Sequence, residues 1–306
     1  MRTERFSVWV NCFLPDEAET TEYAQDKELL YEDRGFIILP ENYTENGRAT
    51  ELVINCHGAG GTVTTDDSQG EHQALTQYLV ANGYAVMDVN GLPYKFAEEK
   101  GIDSRNNIGS PIAVRCYVKA YNYVMEHYNL KPRVFVHGGS MGGISSTNLV
   151  LSGQIPVIAQ SGFCPVLDTY NEIYLHPWCD GLPKFALGKI FGLLKDENDE
   201  YIYDEEKIKG FNPAKNKKAE CYPVPVKFWH CKNDGTVSFD VTKAFVDRIK
   251  ENGGTAFLRA FEKGGHEPQL VGEILTETAG INTLEGHAIE VRPAVEEAFI
   301  WIRNFT

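Results

Sequence analysis

Short, unbroken apolar runs alternate with helically patterned segments along most of this chain, and that rhythm restricts its fold more than any other feature. Runs of strand length lie at Phe6–Leu14, Gly35–Leu39, Glu51–Cys56, Ala85–Val89, Arg133–His137, Val157–Gln160, Val226–His230 and Ala256–Phe261. The middle ones are near-continuous rather than alternating, as in strands buried on both faces of a parallel sheet. Helical patterns cover Glu71–Ala81, Pro111–Tyr128, Met141–Leu151, Phe239–Glu251 and Pro293–Phe305. Strand–helix–strand units of this kind need crossover connections. The pattern predicts an α/β fold: a mostly parallel eight-stranded sheet flanked by helices.

One segment breaks the rhythm. Cys164–Tyr222 holds no convincing buried strand, only helical pieces near Pro183–Leu194 and Asp204–Lys209 among many aromatic, lysine and acidic residues. An interruption of 59 residues is too long for an ordinary loop. It reads as a helical cap, residues 164–222, inserted after the sixth strand of a single domain spanning 1–306.

Composition excludes several classes. The formal charge is −14, from 29 Lys and Arg against 43 Asp and Glu. Nucleic acids and anionic membranes both need a basic surface, so neither is an expected partner. Half of that excess, −7, lies in residues 1–51, which ties it to an exposed edge rather than to a substrate. Residues 134–167 carry no Asp, Glu, Lys or Arg, but Gly, Ser, Asn and Gln interrupt them too often for a membrane span. The seven cysteines are odd in number and form no C-x-x-C pair, which reads as free thiols in a reducing compartment. The apolar run at Phe6–Leu14 is broken by Asn11 and has no small-residue cleavage site after it, so no signal peptide is visible. Both observations lead to a cytoplasmic expectation.

The charge-free stretch contains Gly138-Gly139-Ser140-Met141-Gly142-Gly143, a G-x-S-x-G pattern placed after a strand and before a helical pattern. A serine on so sharp a turn takes a strained backbone conformation and needs small neighbours, and the turn exposes its hydroxyl at the end of the sheet. Ser140 is therefore the candidate nucleophile. A second glycine-rich turn, His57-Gly58-Ala59-Gly60-Gly61, follows the strand Glu51–Cys56. It has neither the G-K-[ST] nor the G-x-G-x-x-G spacing of a phosphate loop. It suits an oxyanion hole instead, with Ala59 and Gly60 as candidate donors beside the amide of Met141. His57 is read as shaping that loop.

A serine nucleophile needs a base, and the base needs an orienting acid. His266 lies in Lys263-Gly264-Gly265-His266-Glu267-Pro268, just past the last strand, and is the candidate base. His287 is the fallback. His176 falls in the insertion, and His230 sits inside a strand, where it reads as a core histidine. Asp234 follows the strand Val226–His230, at the edge of the sheet where sites form, and is the candidate acid. Asp240 is the alternative, although an acid in the first turn of a helix is favourable for capping alone.

These residues carry a resemblance. Gly35-Phe36-Ile37-Ile38-Leu39-Pro40-Glu41-Asn42-Tyr43 followed by His57–Gly61 is similar to the opening of single-domain bacterial esterases. Gly138–Gly143, Asp234 and His266 follow in the matching order. Over roughly 35–160 and 225–266 the chain resembles the α/β-hydrolases, in their prolyl-oligopeptidase and esterase branch. The resemblance implies a serine hydrolase that uses no metal or organic cofactor, and it places a lid at 164–222.

The leading expectation is a carboxylic ester hydrolase acting on a small-molecule or carbohydrate ester, with acetyl and feruloyl groups as candidates. Phe163, Tyr170, Tyr174 and Trp178, with Phe185 nearby, are the candidate substrate-binding aromatics. A prolyl-oligopeptidase-type peptidase would use the same triad. However, only about 50 residues precede the first motif, too few for even two propeller blades. A non-catalytic binding protein on the same fold fits poorly with an intact Ser, Asp and His set.

Overall fold

The computed structural model describes residues 1–13, 30–63, 69–176, 178–278 and 289–306. Eight strands form one sheet: β1 (Arg2–Asn11), β2 (Leu30–Leu39), β3 (Thr50–Cys56), β4 (Ala85–Val89), β5 (Leu130–Gly139), β6 (Val157–Phe163), β7 (Val226–Cys231) and β8 (Ala256–Phe261). Their order is β1-β2-β4-β3-β5-β6-β7-β8. Strand β2 runs against both of its neighbours, and every other pairing is parallel. The mostly parallel eight-stranded sheet expected from the apolar runs is therefore present. A separate two-stranded ribbon joins β9 (Thr276–Thr278) to β10 (Ile289–Val291).

Helices cover both faces: α1 (Gln69–His72), α2 (Ala74–Ala81), α3 (Tyr94–Lys100), α4 (Pro111–His127), α5 (Met141–Ser152), α6 (Leu182–Ile190), α7 (Glu205–Ile208), α8 (Phe239–Glu251) and α9 (Pro293–Arg303). Side chains alternate across a strand, so β3 feeds two cores. Leu52, Ile54 and Cys56 join Phe96, Ile112, Tyr117 and Ile144 on the α3–α4–α5 face. Val53 joins Leu75, Leu79, Val295 and Phe299 on the α2–α9 face. A third cluster packs Phe245 and Ile249 of α8 against Val226 and Phe228 of β7.

Local chemistry sets the helix ends. Pro111 opens α4 at a position where its missing N–H costs nothing. The Ser110 hydroxyl accepts the amide of Ala113 at 3.2 Å. Ile112, Cys116, Ala120 and Val124 then recur every fourth residue on the buried face. Helix α5 differs. Residues Met141 to Leu151 are all buried, which explains why this stretch carries no charge.

Connections from β3 lead to β4 on one side, while those from β5 lead to β6 on the other. Loops leaving the carboxyl ends of β3 and β5 therefore diverge, and the crevice between them is where open α/β sheets bind ligands. The two glycine-rich turns sit at those two ends.

Candidate active site

Ser140 stands between β5 and α5 with φ 53° and ψ −125°, a positive-φ conformation that residues with a side chain rarely adopt. Its surroundings hold it there. Its amide donates to the Phe163 carbonyl at 2.9 Å, and its carbonyl accepts from Gly143 at 2.8 Å and Val166 at 2.9 Å. The turn also requires glycine on both sides. A Cβ on Gly142 would overlap the Cys56 carbonyl, and one on Gly138 would overlap the Gly142 carbonyl. The small neighbours expected of a nucleophile turn thus have a specific steric cause.

His266 reaches Ser140 from the loop after β8. Its Nε2 lies 2.8 Å from Ser140 Oγ, and its Nδ1 lies 2.8 Å from Asp234 Oδ2. Gly264 and Gly265, both at positive φ, turn the chain toward the serine. The amide of Gly265 donates to Asn233 Oδ1 at 3.0 Å, which ties this loop to the one carrying Asp234. The other carboxylate oxygen, Oδ1, accepts the amides of Thr236 at 2.8 Å and Val237 at 3.0 Å. Burial on its own would raise the Asp234 carboxyl. Hydrogen bonds from His230, His266 and the two amides outweigh it and hold the group well below the usual carboxylate range. Three residues far apart in sequence, Ser140, Asp234 and His266, are thereby brought into one hydrogen-bonded line. His287, the fallback base, lies outside the described residues. Asp240 sits in the first turn of α8, and Ser238 caps that helix.

The turn after β3 lies against the serine. A Cβ on Gly58 would sit 3.4 Å from that of Ser140, and Ala59 borders the cavity there. Gly60, at φ 76°, forms the turn closed by the Gly61 amide on the Gly58 carbonyl, and it is not among the cavity-lining residues. Met141 opens α5, so its amide is one of those a helix leaves unpaired at its start. The His57 ring is fully buried, with Nδ1 3.1 Å from Asp88 Oδ1. Burial works against the charged ring, but the Asp88 carboxylate prevails and raises His57 above its ordinary value.

A cavity of about 420 Å³ opens over Ser140. Its walls include Gln73 and Leu75 at the start of α2, His137 and Phe163 from the sheet, and Gln269 and Leu270 just past His266. Burial lowers the His137 ring to about 3, so it is neutral there, with Nδ1 2.8 Å from Ser161 Oγ. Of the four aromatic residues proposed to bind substrate, only Phe163 borders this cavity. Tyr170 and Tyr174 belong to a π-helical turn (Thr169–Tyr174), stack on each other and pack against Tyr203. Trp178 donates its indole N–H to the Glu172 carbonyl at 2.6 Å. Phe185 packs edge-on against Tyr201. Of the segment 164–222, Cys164 lines the cavity, and none of its later described residues is among the lining residues. Ile173, Leu187, Ile190, Phe191 and Ile208 of that segment enter the core on the α4–α5 face, and Leu167, Ala219 and Tyr222 pack with α8 and β7. The wall that does border the site, His72–Leu75 and Gln269–Leu270, bears no motif that marks it in the sequence.

One set of potential metal ligands occurs among the described residues: Cys164, Asp234 and His266, with ligand atoms within 4.8 Å of one another. Its donors are already engaged. Burial pushes the Cys164 thiol well above its ordinary range, its Sγ–H donates to the His266 carbonyl at 3.1 Å, and Asp234 and His266 bond each other. No described helix is long and apolar enough to cross a membrane.

No family model and no curated protein matches the sequence. Solved structures do match. An acylaminoacyl peptidase of Pyrococcus horikoshii is 15% identical with a TM-score of 0.60, over 86% of this chain and 38% of that one. A puromycin-hydrolyzing peptidase of Mycobacterium tuberculosis is 17% identical with a TM-score of 0.59, over 77% and 34%. A putative dipeptidyl aminopeptidase IV of Bacteroides ovatus is 15% identical with a TM-score of 0.57, over 86% and 33%. The chain therefore spans about a third of the length of each. At these identities the likeness speaks for architecture alone, and with the strand order it establishes that this chain has the α/β-hydrolase fold.

Proposed function

We propose that the chain is a serine hydrolase that cleaves small carboxylic esters through an acyl-enzyme. One observation carries this reading: His266 bridges Ser140 and Asp234 at 2.8 Å on each side, with the serine on a strained turn beside an open cavity. In the first step Ser140 Oγ attacks the ester carbonyl while His266 Nε2 takes its proton. Asp234 holds the Nδ1–H tautomer and stabilises the imidazolium. Charge develops on the carbonyl oxygen, where the amides of Met141 and Ala59 are the proposed donors. His266 then protonates the leaving alcohol, and water repeats the sequence on the acyl group. The cavity volume suits a short acyl group or one aromatic ring, which keeps acetyl and feruloyl esters as candidate substrates.

A second reading, a small peptidase, has specific support: the similar structures named above are peptidases. The two separate in one experiment. Wild type and Ser140→Ala are treated with a fluorophosphonate probe, then assayed on p-nitrophenyl esters of rising chain length and on a proline p-nitroanilide. Labelling of the wild type only, with ester turnover exceeding amide turnover, is the expected result. Faster amide turnover would transfer the assignment to the peptidase. An unlabelled wild type would remove the serine-hydrolase reading altogether.

A further inference from the structure

Asp234 carries more than the triad asks of it. Its Oδ2 accepts His266 Nδ1–H and also lies 3.1 Å from Nε2 of His230, four residues earlier at the end of β7. With the two amides on Oδ1, all four acceptor positions of the carboxylate are filled. The His230 ring is fully buried. Its Nε2 faces only acceptors, Asp234 Oδ2 and the Val237 carbonyl at 3.3 Å, so that nitrogen carries a proton. On the far side, Nδ1 meets Thr242 Oγ1 of α8 at 3.0 Å, and Thr242 lies 3.5 Å from the Pro165 carbonyl. Val166, next in the chain, donates its amide to the Ser140 carbonyl at 2.9 Å. With the proton on Nε2, Nδ1 accepts the Thr242 hydroxyl, which only touches the Pro165 carbonyl, so the hydrogen bonds run from α8 through His230 to the triad acid and on through His266 to Ser140 Oγ.

We propose that His230 is a positioning residue for the triad: its Nε2–H fixes Asp234 Oδ2 and, by sharing that oxygen, limits how strongly Asp234 holds a proton on His266. The assignment rests on the serine-hydrolase reading. It makes His230 a group that sets the basicity of the base without touching substrate. Other titratable groups pack around the pair. Cys231 lies beside His230, Cys164 contacts His266, Glu267 follows it in the loop, and Glu172 of the π-helical turn accepts the Ser238 amide at 3.1 Å. Burial pushes both thiols up, and pushes Glu172 up to about 8, so none of these three titrates where a histidine base limits activity on the acid side. Glu267 is exposed, and Glu267→Gln serves as its control.

The test compares His230→Asn, which removes the donor at the Nε2 position, with His230→Gln, which places an amide N–H there. In His230→Asn, kcat falls about tenfold with KM little changed, as loosened orientation of a reacting group requires. The acid limb of kcat/KM moves up by about half a pH unit, because Asp234 freed of one donor holds the imidazolium more tightly. His230→Gln returns both quantities toward wild type. Thermal unfolding confirms that each variant is folded. Thr242→Val, which releases the far side of the ring, is the substitute if His230→Asn does not fold, with smaller shifts in the same directions. An acid limb and kcat unchanged in a folded variant would reduce His230 to a core residue. NMR titration of His266 in the same proteins gives a readout without turnover. If the wild type hydrolyses nothing, the hydrolase reading fails by itself, and the titration still decides the role of His230.

Discussion

At the scale of the residue, the site depends on a few atoms held by backbone rather than by flexible side chains. Ser140 is pinned by three main-chain bonds, and Asp234 by two amides and two rings. His266 is less enclosed, which suits the proposed role of a base facing substrate. Replacing it with Ala removes both the proton acceptor and the link to the acid. The expected outcome is a fall in kcat of about 10⁴ or more, read by steady-state kinetics, with near-normal unfolding. Near-normal turnover in that variant would move the base elsewhere, with His287 the first residue to test. Ser140 was legible because its glycines are a steric requirement written into the sequence. His230 was not: a histidine inside an apolar run looks like core. Its meaning lies in its spacing of four from Asp234, which counts only once the strand is known to end between them.

At the scale of the element, all eight main-sheet strands were legible: burial on both faces leaves a near-continuous apolar run in central strands such as β3 and β4, while β1, at the edge, shows apolar alternation. Most ends moved by a few residues, and Ala256–Phe261 and Phe239–Glu251 kept their bounds. Helix α3 escaped notice because only Phe96 and Ala97 of its seven residues are buried, too few to make a period. The π-helical turn escaped for another reason. Asp168 caps it through the amides of Tyr170 and Asn171, and buried Glu172 accepts those of Leu167 and Asp168, so polar groups rather than apolar spacing build it. Capping also gives a prediction for α4. Ser110→Ala removes the acceptor for the Ala113 amide and is expected to cost about 1 kcal/mol. Urea unfolding would show a lower midpoint at constant m, and ester turnover would persist. An unchanged midpoint would mean that Pro111 alone sets the start of the helix.

At the scale of the whole molecule, buried ionisable groups couple stability to pH. Burial raises the Asp33 carboxyl from 3.8 to about 7 despite the Gly91 amide on its Oδ2. The folded state therefore holds this proton more tightly than the unfolded chain does. Its contribution is fully present below about pH 4 and is lost as pH rises to about 7. Asp33→Asn stays neutral throughout, so its Tm is expected to decline less than that of the wild type between pH 4 and pH 7. Parallel Tm profiles for the two proteins would show that Asp33 is ionised in the fold. The sequence by itself determined the sheet, its flanking helices, the serine turn and the order of the triad candidates. Those follow from apolar continuity and from glycines that nothing else can replace. Only the tertiary structure decided that β2 runs against its neighbours, that Ile173, Leu187, Ile190, Phe191 and Ile208 enter the core on the α4–α5 face, and that two histidines share one oxygen of Asp234. Each of those depends on which surfaces meet across long stretches of chain, and no local pattern of residues encodes that.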